Sequence, residues 1–190
     1  MRKKLVLAGD SGVGKTSIFI TYIKSINEPS CVNNVNTQST IGASYDTIKV
    51  GKAVVGVWDT AGQERYRCLC SMYFRDVDMC MLVFDVTNRK SYNSLTYWIE
   101  QIPKDKDVAL IFLANKTDTD RSKWTVSDQD IKIIEKYGQV IMTSAFDRSN
   151  FDVFKDCIIK KFSDSFDHTE SKDSLYLPDA SYFKPTYCCY

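Results

Sequence analysis

The chain has 190 residues, of which 44% are apolar and 26% charged. That is an ordinary globular balance for one domain, or one domain plus a tail, with enough chain to bury a core without staples. Lys and Arg total 25 against 24 Asp and Glu, a formal net charge of +1, so no global charge excess points to nucleic acid or to an acidic membrane. The longest apolar runs, Met79–Phe84 and Val108–Ala114, fall well short of a bilayer span. No signal peptide is read at the start: Met-Arg-Lys-Lys enters a strand-like run at once, and Arg2 stands where N-myristoylation needs glycine. Seven cysteines, an odd count, argue against a disulfide framework and read as reduced thiols, with Cys188 and Cys189 set apart. Cys68 and Cys70 have no second ligand pair, which argues against a zinc site.

In chain order, Leu5–Ala8 reads as a short buried strand running into a Gly-rich turn. Helical spacing follows at Ile18, Phe19, Tyr22, Ile23 and Ile26. Tyr45–Val50 and Ala53–Trp58 flank Gly51-Lys52 and predict a hairpin. Met79–Phe84 predicts a strand, and Tyr92, Leu95, Trp98, Ile99 and Ile102 fall on one helix face. Val108–Ala114 predicts another strand. Ser127 caps a predicted helix through Ile131, Ile134 and Tyr137 that Gly138 ends, and Val140–Met142 is a last short strand. Phe151, Phe154, Ile158 and Phe162 mark the final helix. After about Ser163 glycine is absent, and five acidic side chains face two basic ones. The expectation is a folded body over residues 1–163 and a mobile tail over 164–190. Alternating strands and helices with apolar strand runs predict a mainly parallel α/β sheet covered on both faces. Ligands of such sheets sit at the carboxyl ends of the strands, and the chemical motifs fall just there.

Gly9-Asp-Ser-Gly-Val-Gly14-Lys15-Thr16 fits G-x-x-x-x-G-K-[ST] between a strand and a helix. Its glycines let backbone N–H groups wrap a phosphate, Lys15 is placed to meet the β- and γ-phosphates, and the Thr16 hydroxyl is placed for Mg²⁺. At the end of the second hairpin strand stand Asp59, Gly62 and Gln63. An Asp there can hold Mg²⁺ through water, the Gly can bring an N–H to a γ-phosphate, and the Gln can orient an attacking water. Asn115-Lys116-Thr117-Asp118 follows the strand Val108–Ala114. The Asp118 carboxylate can accept from guanine N1–H and the exocyclic amine, a donor pair that adenine lacks. Lys116 can lay its aliphatic stem along the base. After the last strand, a backbone N–H of Ser144-Ala145 can meet guanine O6.

These motifs, in this order from Gly9 to Ala145, resemble those of the small GTPases of the Ras superfamily. Ile41–Tyr45, Arg65–Leu69, Tyr73–Val77 and Leu82–Thr87 further resemble Rab stretches. The resemblance implies a P-loop NTPase of the small G-protein fold, with a mostly parallel six-stranded sheet and helices on both faces. It implies a GTP/GDP switch that hydrolyses GTP slowly and regulates vesicle-mediated membrane traffic. Gln63 and Lys15 would be catalytic. Ser11, Gly12, Val13, Gly14, Lys15, Thr16, Ser17, Thr40, Asp59, Gly62, Asn115, Lys116, Asp118, Ser144, Ala145 and Phe146 would contact nucleotide. Thr16, Thr40 and Asp59 would hold Mg²⁺. Implied partners are an exchange factor, a GTPase-activating protein, a Rab escort protein, a GDP-dissociation inhibitor, and effectors at Tyr45, Trp58 and Tyr73, with no nucleic acid and a monomeric state. Core packing fits Trp58 equally well. The terminal Cys188-Cys189 resembles a double geranylgeranylation signal, which places the protein on the cytoplasmic face of intracellular membranes with a soluble pool. Two chains anchor stably where one does not. A 24-step tail from Asp164 to Cys188 reaches about 80 Å at most.

Three departures stand out. The segment between Lys15 and Thr40 is long and lacks, over Asn27–Ser39, the aromatic residue that the family sets against guanine. Its loss is expected to remove base contacts and leave the segment mobile. The Tyr45–Trp58 hairpin reads as about four residues shorter than the family norm, on a surface that touches effectors, so partner identity cannot be borrowed. The family's Ser-Ala-Lys becomes Ser144-Ala145-Phe146, so Phe146 either packs over the base or fills the core. Two rivals remain: a membrane-tethered, nucleotide-bound scaffold that cycles poorly, and a P-loop ATPase, which Asp118 disfavours.

Overall fold

A computed structural model describes residues 3–26, 40, 42–62 and 70–163. Gln63, the segment 27–39, the tail 164–190 and the pair Cys188-Cys189 lie outside the described residues. Six strands run β1 (Lys3–Ala8), β2 (Ala43–Val50), β3 (Ala53–Thr60), β4 (Met79–Asp85), β5 (Ala109–Asn115) and β6 (Gln139–Met142), in the spatial order β2-β3-β1-β4-β5-β6. β2 and β3 pair antiparallel as the expected hairpin, with Tyr45 opposite Trp58 and Val50 opposite Ala53. Every other pairing is parallel. The mostly parallel six-stranded sheet is therefore as expected.

Strand parity sorts the apolar residues into two cores. On one face Val6, Ala8, Cys80, Leu82, Phe84, Leu110, Phe112 and Ala114 meet helices α2 (Cys70–Phe74), α3 (Arg89–Asn93), α4 (Leu95–Glu100) and α5 (Asp128–Ile134). On the other, Leu5, Leu7, Met79, Met81, Val83, Ile111, Leu113 and Ile141 meet α1 (Lys15–Ile18) and α6 (Phe151–Ser163). Helix α1 (Lys15–Ile18) runs on into a widened π turn (Phe19–Ile23) and a tight 3₁₀ turn (Lys24–Ile26). β4 is buried along its whole length, as a central strand covered on both faces must be.

Three predicted helices differ in detail, each for a local reason. The stripe from Tyr92 to Ile102 is buried as expected, but the helix breaks at Ser94, where ψ is −10°. There the Ser94 hydroxyl donates to Lys90 O at 3.0 Å, a back-bond that competes with regular helix geometry. The first helix changes pitch where Thr21 Oγ1 donates to Ser17 O and Ser25 Oγ to Thr21 O, both at 2.7 Å. Ser127 caps α5 as expected, in a reciprocal capping box with Asp130. Gly138 does not end that helix. The last regular residue is Ile134, and i→i+3 bonds from Lys136 and Tyr137 close the chain before β6.

Gly138 answers to packing instead: a Cβ there would stand 2.6 Å from Leu110 O and 3.3 Å from the Phe112 ring. Gly138→Ala is therefore expected to destabilise the fold by about 1–3 kcal/mol through overpacking. A fall in the denaturation midpoint with an unchanged m-value would be the signature.

Candidate nucleotide site

The ends of β1, β3, β5 and β6 converge on one edge of the sheet. β1 ends at Ala8, and residues 9–14 follow as a loop whose Gly9, Gly12 and Gly14 all take positive φ, ahead of α1. Lys15 Nζ donates to Asp10 O at 2.7 Å, curling the loop around its own ammonium. Asn115, the last residue of β5, is buried and donates through Nδ2 to Val13 O at 2.8 Å. A Cβ on Gly14 would strike that amide, and a Cβ on Gly62 would strike Lys15 Nζ and the Asp10 carbonyl. Both glycines are needed because neighbouring groups approach the backbone too closely for a side chain.

Thr16, Thr40 and Asp59 come together as expected. Thr16 Oγ1 lies 2.7 Å from Asp59 Oδ2 and 2.8 Å from Thr40 Oγ1. Asp59 is fully buried at the end of β3, and its Oδ1 has no hydrogen-bond partner. Burial raises the Asp59 pKa above the usual carboxylate range, against the Thr16 hydroxyl, the Lys15 charge and the Thr40 hydroxyl, which lower it. An orphaned carboxylate oxygen beside two hydroxyls is an all-oxygen set that suits a hard divalent cation. Ala61 N–H donates to Gly42 O at 2.8 Å, joining the stretch that leads to Gly62 to the start of the hairpin.

A second cluster forms where β5 and β6 end. Ser144 is buried, and its Oγ donates to Asp118 Oδ1 at 2.6 Å while accepting Phe146 N–H at 3.1 Å. Thr117 N–H and Oγ1 both donate to Thr143 O. Lys116 takes a positive φ of 67° and places its ammonium 2.6 Å from Asp85 Oδ2. Ala145 packs against the α1/α6 core. Phe146 corrects one expectation: it is 88% exposed and does not fill the core.

The family model described as Ras family matches residues 4–164. A "Probable Rab-related GTPase" of Acanthamoeba polyphaga mimivirus is 33% identical, over 94% of this chain and 85% of its own length. Ras-related protein Rab-11A of Dictyostelium discoideum is 36% identical, over 79% of this chain and 71% of its own. Ras-related protein YPT3 of Nicotiana plumbaginifolia is 35% identical, over 77% and 68%. The chain belongs to the Ras family, in its Rab branch. The non-cycling scaffold is not favoured beside relatives of this kind.

In this Rab-type GTPase the three surface aromatics make one cluster. Tyr45 and Trp58 ring centroids are 4.9 Å apart, and Trp58 and Tyr73 are 5.7 Å apart. Tyr45 is exposed, while Trp58 is half-buried against the α2–α5 core, with the Lys4 ammonium 5.3 Å from its ring. Trp58 thus packs on the core and also contacts the rings of Tyr45 and Tyr73. Sequence reasoning gave no role to two residues that hold the site. Asp85 binds the Lys116 ammonium, and it ends β4 at the carboxyl edge, where the strand-end rule alone would have flagged it. Trp98, read as one member of a helix face, also donates from its indole to Asp10 Oδ1 at 3.0 Å, a contact no spacing rule encodes.

The oxygen set makes Asp59 the deciding group for a cation. Asp59→Ala is expected to weaken Mg²⁺ affinity of the GDP-bound protein by about 10–100-fold. Titrating Mg²⁺ against the rate of GDP release in wild type and variant measures this directly.

Proposed function

We propose that this Rab-type GTPase is a GTP/GDP switch of vesicle-mediated membrane traffic whose slow hydrolysis is run by Lys15, Gln63 and the Thr16–Thr40–Asp59 oxygen set. The observation that carries the reading is the Thr16 hydroxyl, bonded at once to Asp59 at the end of β3 and to Thr40 ahead of β2. That contact joins the phosphate loop to both flanks of the hairpin, so a change at the phosphates is felt where partners dock.

In this reading Thr16, Thr40 and Asp59 would hold Mg²⁺, which would supply charge neutralisation at the β- and γ-phosphates. Lys15, whose ammonium donates to Asp10 O, would meet the same phosphates. Gly62 packs against that ammonium, and its backbone N–H would meet the γ-phosphate. Gln63, the next residue, orients a water for in-line attack on the γ-phosphorus, and the bond to the β-phosphate oxygen breaks to release GDP and phosphate. Ser11, Gly12, Val13, Gly14 and Ser17 line the phosphate path. Asn115 braces the loop, Lys116 lies along the base with its ammonium on Asp85, and Asp118 with Ser144-Ala145 reads guanine. Phe146, exposed beside that cluster, would cover the base from solvent.

The Tyr45–Trp58–Tyr73 cluster would dock effectors. An exchange factor, a GTPase-activating protein, an escort protein and a GDP-dissociation inhibitor would act on the monomer. Residues 1–163 would form the G domain, and 164–190 a tail that carries two geranylgeranyl groups on Cys188 and Cys189.

Gln63→Leu is expected to keep GTP binding and slow single-turnover hydrolysis at least about tenfold, because Leu cannot hydrogen-bond the water. An unchanged rate would take Gln63 out of the mechanism. Replacing both Cys188 and Cys189 by Ser is expected to move the protein from membranes to the soluble fraction. A single replacement should leave marginal, reversible binding, read by flotation with liposomes after prenylation.

A further inference from the structure

The chain that leaves β6 carries two non-glycine residues in the left-handed region, Arg148 (φ 61°) and Asn150 (φ 56°). It is held by the helical segment that leaves the phosphate loop. Tyr22, in the widened π turn, is fully buried, with its ring edge-on to Phe151 and Phe154 at 5.7 and 5.0 Å. Its hydroxyl lies 2.6 Å from Ser149 O and 2.9 Å from Ser144 O, and it accepts Ser144 N–H at 3.2 Å. One O–H proton is thus shared between two carbonyls while a lone pair takes the Ser144 amide. Burial pushes the Tyr22 hydroxyl up to about 12, so the proton stays in place at neutral pH. One turn further on, Ser25 Oγ accepts from Arg148 Nη2 at 2.9 Å. Both polar anchors of the loop therefore come from the segment that begins with Lys15 and Thr16. Local widening of a helix is a recurrent device for aiming one side chain at a site.

Ser144 passes the constraint on. Its peptide N–H and C=O both meet the Tyr22 hydroxyl, and its Oγ donates to Asp118 Oδ1. The same Oγ accepts the N–H groups of Phe146 and Asp147 at 3.1 and 3.3 Å. We propose that Tyr22 is a positioning residue for base recognition: its hydroxyl fixes the Ser144 peptide, and through Ser144 Oγ it aims the Asp118 carboxylate at the donor edge of guanine. This rests on Asp118 as the base reader. Without the hydroxyl, the buried Ser144 N–H loses its partner, the loop relaxes, and the Ser144–Asp118 bond no longer has a fixed base.

The test uses the full chain at matched Mg²⁺ and compares release of GDP with release of inosine diphosphate, which lacks the exocyclic amine that Asp118 accepts. The ratio of the two rates reports the aim of the carboxylate, not the general grip of the site. Tyr22→Phe, which keeps the ring, is expected to speed GDP release about tenfold, to speed release of inosine diphosphate, which keeps only the N1–H bond to Asp118, by distinctly less, and so to lower discrimination. Ser144→Ala should lower it as far, and the double variant should add little, as for residues acting in series. Equal acceleration of both nucleotides, or of neither, by Tyr22→Phe would overturn the proposal. If Tyr22→Phe does not fold, Ser144→Ala decides alone, and an unchanged ratio there overturns it. Asp118→Asn separates the two levels: a wild-type ratio in that variant would remove Asp118 as base reader, and the role of Tyr22 with it.

Discussion

Asn115 donates to the Val13 carbonyl at the spot where a Gly14 side chain would otherwise sit. The phosphate loop therefore takes its shape from the end of a buried central strand, not from its own flexibility. Lys15 and Thr16 inherit that placement, since they follow Gly14 directly. Gly62 closes the arrangement from the other side by packing on Lys15 and Asp10. A larger residue at Gly14 or Gly62 forces one of these groups away, and a buried amide left without a partner costs about 1–3 kcal/mol. The site is rigid because its backbone is crowded.

Two layers support this edge from opposite faces. The helical segment after the phosphate loop packs with α6, through Tyr22 against Phe151 and Phe154. The opposite layer reaches the same loop through the Trp98 indole on Asp10. Asp10 thus receives Lys15 on its backbone carbonyl and Trp98 on its carboxylate. One residue of the loop registers both halves of the protein.

What could be read from sequence was whatever depends on strand ends and short spacing. Asp59, Asn115 and Asp118 sit within a few residues of a strand terminus, and Lys15 and Thr16 follow β1 after a short glycine-rich loop, so naming the strands placed them together. The interruptions were harder. Ser94 and Ser25 look like ordinary helix residues until their hydroxyls are seen to bond a carbonyl one turn back. Gly138 looks like a helix terminator because glycine often is one, yet the constraint there is the Leu110 carbonyl of a neighbouring strand. Phe146 was ambiguous because an aromatic side chain after a strand fits either core or surface, and only the turn held by Ser144 turns it outward. The Gly138–Leu110 contact spans 28 positions and Tyr22–Ser144 spans 122, and no local pattern carries either.

The β2–β3 hairpin limits how this protein can change length. In an antiparallel pair, hydrogen-bonded and non-hydrogen-bonded positions alternate, and a two-residue turn closes only on one kind. With Val50 opposite Ala53 next to the turn, deleting one residue from each arm would ask the turn to close on the wrong kind of pair. Deleting one whole pleat from each arm restores the same turn, so the smallest neutral loss is four residues. Insertions and deletions in this lineage of hairpins should then come in fours, leaving Tyr45 opposite Trp58 while the tip beyond them grows or recedes.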